Sequence, residues 1–402
     1  MKRKDNECQL TSPTLLAGDQ LTMINLAKPS IDDDDITAVS EVIRSGSLIQ
    51  GNKVKEFEQG IIKYTGCKYA IAVSNCTSAL HLALLSLNIK QSDLVLVTSY
   101  SWIATANVIE LCGATPVFID IDPETFNMNP DKLYRKLKSL MSDPTSKSHV
   151  KAILPVHTFG QIADMTAIMK IADYYNIPVI EDAACALGSI LNDKKAGTWG
   201  LMSCFSFHPR KPITTGEGGI VITNNEDLTH TIQALRNHGI DPECREANFI
   251  YPGYNYRMTE FQAALGISQL KKLDRINAAK RVLALEYTKL FRNTCIQRPQ
   301  SIIGSKSSYQ SYVILLPYYI NRENIIKQMK EYGIETTIGT IHIPLTTYYK
   351  QKYNYKTGDF PVADDISQRS LTLPLYETLT KNDQKYIVEK LLGVTEKYEK
   401  FT

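Results

Sequence analysis

Short, continuously apolar runs recur along the first half of the chain, and the stretches between them repeat their apolar positions at helical spacing. The runs over 69–74, 94–98, 115–119, 152–156, 179–180, 202–207 and 219–223 read as strands, and 77–87, 103–111 and 165–174 as helices. Strands that carry apolar residues without alternation are buried on both faces, so the pattern predicts an α/β fold with a central, mostly parallel sheet between helices. Ligands of such sheets bind beyond the carboxyl ends of the strands. An earlier helix over 32–45 places Ile36, Val39, Val42 and Ile43 at helical spacing. Asp32 to Asp35 sit at its start, where negative charge suits the helix dipole, and Ser45-Gly46 ends it.

Past residue 258 the texture changes. Residues 258–292 read as one long helix, rich in Ala, Leu, Lys and Glu and free of proline; a strand-like run over 312–316 and helices over 322–332 and 381–392 follow. The expected division is a polar leader over 1–22, a large domain over 23–257, and a long linking helix with a smaller C-terminal α+β domain over 258–402.

Composition narrows the function more than the fold. The 402 residues are 43% hydrophobic and 22% charged, and 45 basic against 42 acidic side chains leave a formal net charge of +3. That balance gives no reason to expect a nucleic acid or a membrane as partner. No apolar run approaches the roughly 20 residues of a membrane span. Residues 5–20 are polar and lack the apolar centre of a secretion signal. The eight cysteines are scattered, without the paired spacing of a disulfide framework or a metal site, which points to a reducing, cytoplasmic setting and no metal.

Four segments that follow strands carry candidate chemistry. Lys211 lies in Ser206-Phe207-His208-Pro209-Arg210-Lys211, ahead of Gly216, Gly218 and Gly219. Burial would depress its amine pKa and make it a nucleophile towards an aldehyde, although a solvated turn lysine fits the same letters. Glu181-Asp182 ends the apolar run Val179-Ile180, where a carboxylate can pair with a protonated pyridine nitrogen, bind a metal or cap a helix. Ser74-Asn75-Cys76-Thr77-Ser78 opens a helix and offers backbone N–H groups to a phosphate, or is a plain N-cap by Asn75 or Thr77. Trp102 could stack on a flat ring, while a lone tryptophan is more often core. Taken in chain order, these are a phosphate site, an aromatic plate, a carboxylate and a lysine, each after a strand.

With these segments in place the chain resembles the DegT/StrS-type sugar aminotransferases, fold-type I pyridoxal-phosphate enzymes, from about Ile24 to Leu392. The landmarks are SGSLIQGNKVKEFE, AVSNCTSALHLAL, GATPVFIDIDPETFNM, PVHTFGQIADM, IEDAACALGS, SFHPRKPITTGEGG and GYNYRMTEFQAALGISQL. The resemblance implies pyridoxal 5'-phosphate as cofactor, held by a Schiff base to Lys211, which then shuttles protons. It also implies Asp182 on the pyridinium nitrogen and Trp102 on the ring. Thr77 and Ser78 N–H groups and the Ser206 hydroxyl would hold the phosphate. Asn255 would reach the phosphate in the neighbouring subunit of a homodimer.

Two positions depart from the family pattern. Cys76 stands where glycine is frequent, so ordinary backbone angles are expected there. Cys185 stands where glutamine or histidine usually meets the cofactor's phenolic oxygen. Arg257 and His342 are candidates to meet the nucleotide or sugar, or are structural; His208 assists the lysine or packs. The implied reaction transfers nitrogen from glutamate to a nucleotide-linked keto-sugar. The Gly-Glu-Gly-Gly ending of the lysine loop leans towards 4-keto-6-deoxyhexoses, since 3-keto enzymes tend to Gly-Asp-Gly-Gly. The rivals are a dehydratase of the same fold, which carries histidine in place of the lysine, a cyclitol-ketone aminotransferase, and a non-catalytic regulator.

Overall fold

The computed structural model describes residues 23–244 and 246–399, and the leader expected over 1–22 lies outside them. The apolar runs form strands. Tyr69–Val73, Gly219–Thr223, Met202–Ser206 and Ile180–Asp182 pair in that order into a four-stranded sheet. Thr115–Ile119, Leu94–Thr98 and Val150–Leu154 make a three-stranded sheet. Parallel bridges from Ile153 to Val179 and from Val156 to Asp182 join the two into one layer. Gly219–Thr223 runs antiparallel to both neighbours, and the other named pairs are parallel.

Successive side chains of a strand face opposite sides, and the core divides accordingly. Ala70, Ala72, Leu96, Ile153 and Phe205 pack on one side against Phe57, Ile61 and Ile168. Ile71, Val73, Val95, Val97 and Leu154 pack on the other against Leu82, Ile109 and Ile232. A separate antiparallel sheet of Tyr312–Leu315, Ser370–Leu373 and Thr337–Ile338 closes over a third core. There Tyr287, Tyr312, Ile314, Met329 and Leu391 come together from that sheet and from helices Leu273–Leu290, Arg322–Glu331 and Lys381–Glu399.

Three differences from the sequence pattern have physical causes. The helix expected over 258–292 is two, Glu260–Leu270 and Leu273–Leu290. Between them the Lys272 N–H bonds the Gln269 carbonyl in a tighter turn, at 3.0 Å, and the Lys272 ammonium lies 2.6 Å from both Asp32 and Asp35. Those aspartates form a reciprocal cap on helix Asp33–Ser45, beyond their effect on its dipole. Helix Cys76–Ser86 begins one residue earlier than expected, because Asn75 is its cap. Helices Asn52–Thr65, Pro130–Ser142 and Glu226–Arg236 were passed over; their polar faces dilute the apolar stripe. Among the described residues no helix is long and apolar enough to cross a membrane.

Candidate active site

Strand Ile180–Asp182 ends in two carboxylates that strand geometry sends to opposite faces. Glu181 is fully buried and accepts the N–H groups of Gly197, Trp199 and Gly200 at 2.8, 2.7 and 2.7 Å. The His157 imidazole bonds it as well, Nε2 lying 2.8 Å away. Asp182 faces the other way. Its Oδ2 accepts the Thr105 hydroxyl at 2.7 Å and its Oδ1 the Ala184 N–H at 3.2 Å. Burial pushes its carboxyl above the usual range, against the pull of those bonds and of Lys211 and His157. A buried carboxylate met only by neutral donors is incomplete without a cation. No helix starts at these residues, so the cap reading falls, and among the described residues no group of His, Cys, Asp and Glu is arranged to hold a metal.

Lys211 sits on the loop that leaves strand Met202–Ser206 and returns as Gly219–Thr223. The loop is pinned by Lys211 N–H to His208 carbonyl (2.8 Å) and Thr215 N–H to Phe207 carbonyl (2.9 Å). Gln310 adds an amide bond to the Arg210 carbonyl at 2.9 Å. Gly216 turns the chain at φ +80°, and a Cβ on Gly219 would lie 2.4 Å from the Asn75 carbonyl carbon. The return strand is therefore pressed against the helix start at Asn75.

Lys211 is half-buried, not a solvated turn residue, and its Nζ donates to Cys185 Sγ at 3.1 Å. The expected depression of its pKa does not occur. Burial opposes the charge, but Cys185, Cys76 and Asp182 around it favour the ammonium and raise it above the ordinary lysine value.

At the helix start, the Asn75 side chain takes the Ser78 N–H at 2.8 Å. That N–H, one of the two expected to face a phosphate, is thus already paired. First-turn N–H groups have no helical carbonyl to bond, so Cys76 and Thr77 are the donors left open. Cys76 is the first helical residue and keeps a negative φ, as its side chain requires. Ser206, buried at the end of its strand, presents a hydroxyl that accepts the His208 N–H at 3.4 Å.

Trp102 is 66% exposed, which removes the core reading. It precedes helix Ala104–Leu111, the helix that supplies Thr105 to Asp182. Thr105 was missed by the sequence reading; a hydroxyl one position into a helix that follows a strand was the available signal.

Asn255 is exposed between Tyr254 and Tyr256, whose rings stack at 4.9 Å. The Tyr256 carbonyl accepts the Ser74 N–H at 2.8 Å, tying this segment to the turn before helix Cys76–Ser86. Arg257 donates to the Asn237 side chain at 2.7 Å. His342 is buried on strand Ile341–His342, which pairs with Tyr100–Ser101. Its Nδ1 lies 3.4 Å from an Asp364 oxygen, and burial pushes its imidazole down against the pull of Asp364 and Asp120. His208 holds the lysine turn, Nδ1 accepting the Arg210 N–H at 3.2 Å.

The donor set fits a flat, phosphorylated aldehyde with a basic ring nitrogen. It offers an amine, a buried carboxylate lacking a cation, open helix N–H groups and an uncovered indole.

Comparison with known proteins gives the same direction. A profile of the DegT/DnrJ/EryC1/StrS aminotransferase family matches residues 29–392. The chain is 37% identical to the GDP-perosamine synthase of Caulobacter vibrioides, over 92% of this chain and 98% of that protein. It is 35% identical to the UDP-4-amino-4,6-dideoxy-N-acetyl-β-L-altrosamine transaminase of Campylobacter jejuni, over 94% and 99%. Among solved structures, Spr1654 of Streptococcus pneumoniae in its PLP form superposes with a TM-score of 0.86 at 27% identity, covering 94% of this chain and 99% of that one.

Proposed function

This chain belongs to the DegT/DnrJ/EryC1/StrS aminotransferase family, and from that premise we propose that it is a pyridoxal-phosphate enzyme that moves an amino group from glutamate to a nucleotide-linked keto-sugar. The observation that carries the reading is the convergence, at strand ends, of the Lys211 amine and the buried Asp182 carboxylate beside an open helix start. The 4-amino-4,6-dideoxy sugar in the name of the Campylobacter relative supports a 4-keto-6-deoxyhexose as acceptor. Lysine at position 211 weighs against a dehydratase.

Pyridoxal phosphate, when bound, supplies an aldehyde for the amino group and a ring that spreads the charge left when the C–H bond beside nitrogen breaks. Asp182, held by Thr105 and Ala184, would take the ring nitrogen. Cys76 and Thr77 N–H groups and the Ser206 hydroxyl would hold the phosphate, and Trp102 would lie against the ring. Lys211 would hold the aldehyde through its amine and, when free, would carry a proton on Nζ.

Exposed Asn255 fits a role in the partner's site of a homodimer, where it would reach the phosphate. Arg257 and His342 remain candidates for the sugar-nucleotide end, with the division between large and small domains near 257/258. Free thiols at Cys67, Cys76, Cys112, Cys185, Cys204 and Cys244 suit the cytoplasm.

The test is the absorbance spectrum of the purified protein beside Lys211→Ala. A visible band from lysine-linked cofactor that glutamate bleaches, and that the variant lacks, is the expected result. A colourless protein that cannot be loaded with pyridoxal phosphate would overturn the reading.

A further inference from the structure

The sulfur of Cys185 touches one amine, and a second lysine lines the same pocket as the first. Lys211 Nζ is 3.1 Å from the sulfur, across 26 positions of sequence. Lys280, which lines one pocket together with Lys211, is a buried lysine whose ammonium donates to the Gln310 carbonyl at 3.0 Å. Burial pushes Lys280 down to about 8, with Cys185 drawing it back up and Lys211 driving it further down. Cys185 is held in place from behind: its carbonyl accepts the Ser308 hydroxyl at 2.9 Å, and a Cβ on Gly160 would touch that carbonyl at 3.1 Å. Cys76 and Cys204 nearby are buried, whereas Cys185 is partly open to solvent. A partly exposed thiol beside an amine is the setting in which cysteine reacts with oxidants.

We propose that Cys185 and Lys211 are a modification site: peroxide joins them by a sulfur–nitrogen bond and locks the cofactor-free protein. The sulfur attacks one peroxide oxygen, the O–O bond breaks, and the thiol proton leaves with the departing oxygen as water, giving a sulfenic acid. Solvent base takes one proton from the Lys211 ammonium, and the freed nitrogen lone pair then attacks that sulfur. The S–O bond breaks, hydroxide takes one amine proton as a second water, and the S–N bond remains. Sulfur is oxidised by two electrons and peroxide is reduced by the same two. A dithiol reductant reverses the bond, becoming a disulfide. The bond needs only the observed contact; its consequence, that Lys211 can no longer take up the cofactor and that bound cofactor guards it, rests on the function proposed above.

The experiment treats cofactor-stripped, full-length protein with hydrogen peroxide, digests it and maps peptides by mass. The expected product joins the Cys185 and Lys211 peptides, lighter than their sum by two hydrogen atoms. It should disappear with dithiothreitol, be absent in Cys185→Ser and persist in Cys244→Ser, whose thiol is exposed elsewhere. Preloading with pyridoxal phosphate should suppress it. Oxidation of Cys185 to sulfinic acid with Lys211 left free would overturn the proposal, as would a cross-link that survives in Cys185→Ser. If the linked peptides form in a protein that takes up no pyridoxal phosphate, the bond stands and the functional reading falls.

Discussion

Asp182 shows how a single residue trades stability for chemistry. Burial holds its pKa in the folded chain above the ordinary 3.8, so between those two values the folded state binds a proton that the unfolded state has lost. The stability of the cofactor-free protein therefore falls as pH rises through that window. In the proposed arrangement a cationic ring nitrogen beside the carboxylate would remove this penalty and make the cofactor a stabiliser at neutral pH. Asp182→Asn removes the charge, keeps one oxygen to accept the Ala184 N–H, and turns the other position into an NH2 that can donate to the Thr105 hydroxyl. The expected outcome is a cofactor-free variant that melts higher than wild type at pH 7, with a flatter dependence on pH above 3.8. Its transamination should be slower by about 10²–10³-fold, the loss typical of one removed electrostatic contact in an active site. Thermal melts across pH and single-turnover rates check the two halves; a variant that melts lower at pH 7 would show that Asp182 is not strained by burial.

At the scale of elements, the end of strand Ile180–Asp182 is fastened by Glu181 to the loop containing Gly197, Trp199 and Gly200. Glu181→Ala strands those three N–H groups and His157 without acceptors. Each buried unpaired group costs about 1–3 kcal/mol, so a loss of about 3 kcal/mol or more in denaturant unfolding is expected. Glu181→Gln should lose less, since one oxygen remains. A loss near zero for Glu181→Ala would mean that the loop repacks.

The strands of the layer were legible because burial on both faces writes itself as unbroken apolar runs such as Leu94–Thr98. Helix Pro130–Ser142 carries Leu133, Leu137, Leu140 and Met141 at helical spacing towards the core, so its signal was present in the sequence although no helix was expected there. The break after Leu270 and the Thr105–Asp182 bond were illegible. Each depends on a partner far along the chain, Asp32 and Asp35 in the first case and a residue 77 positions away in the second. The placing of Lys211, Asp182 and Trp102 could be read locally because each lies at or just after the end of a strand, whereas the direction of the Lys211 pKa could not, since it is set by neighbours from two other segments.

At the scale of the whole molecule, several features of one chain want a second copy. Trp102 is uncovered and Asn255 points outward between two stacked tyrosines. Leu48, Ile49 and Phe261 are exposed apolar side chains on neighbouring segments, joined where the Glu260 N–H meets the Leu48 carbonyl at 3.0 Å. Exposed apolar clusters of this kind mark association surfaces, and a two-fold dimer would let each chain give Asn255 to the other's site. The consequence is a complementation that a self-contained monomer cannot show. In the proposed dimer, Lys211→Ala would remove the lysine from its own site and Asn255→Ala the asparagine from the partner's site. In a mixed dimer, the chain carrying Asn255→Ala keeps its own Lys211 and receives an intact Asn255 from the other chain. One of the two sites is then whole. Unfolding and refolding an equal mixture of two inactive variants should restore activity to about a quarter of wild type, since half of randomly paired dimers are mixed and each has one good site. The cofactor band, read on the same sample, reports how many sites are loaded. Loaded sites without any recovery of activity would place Asn255 in its own chain's site or outside catalysis altogether.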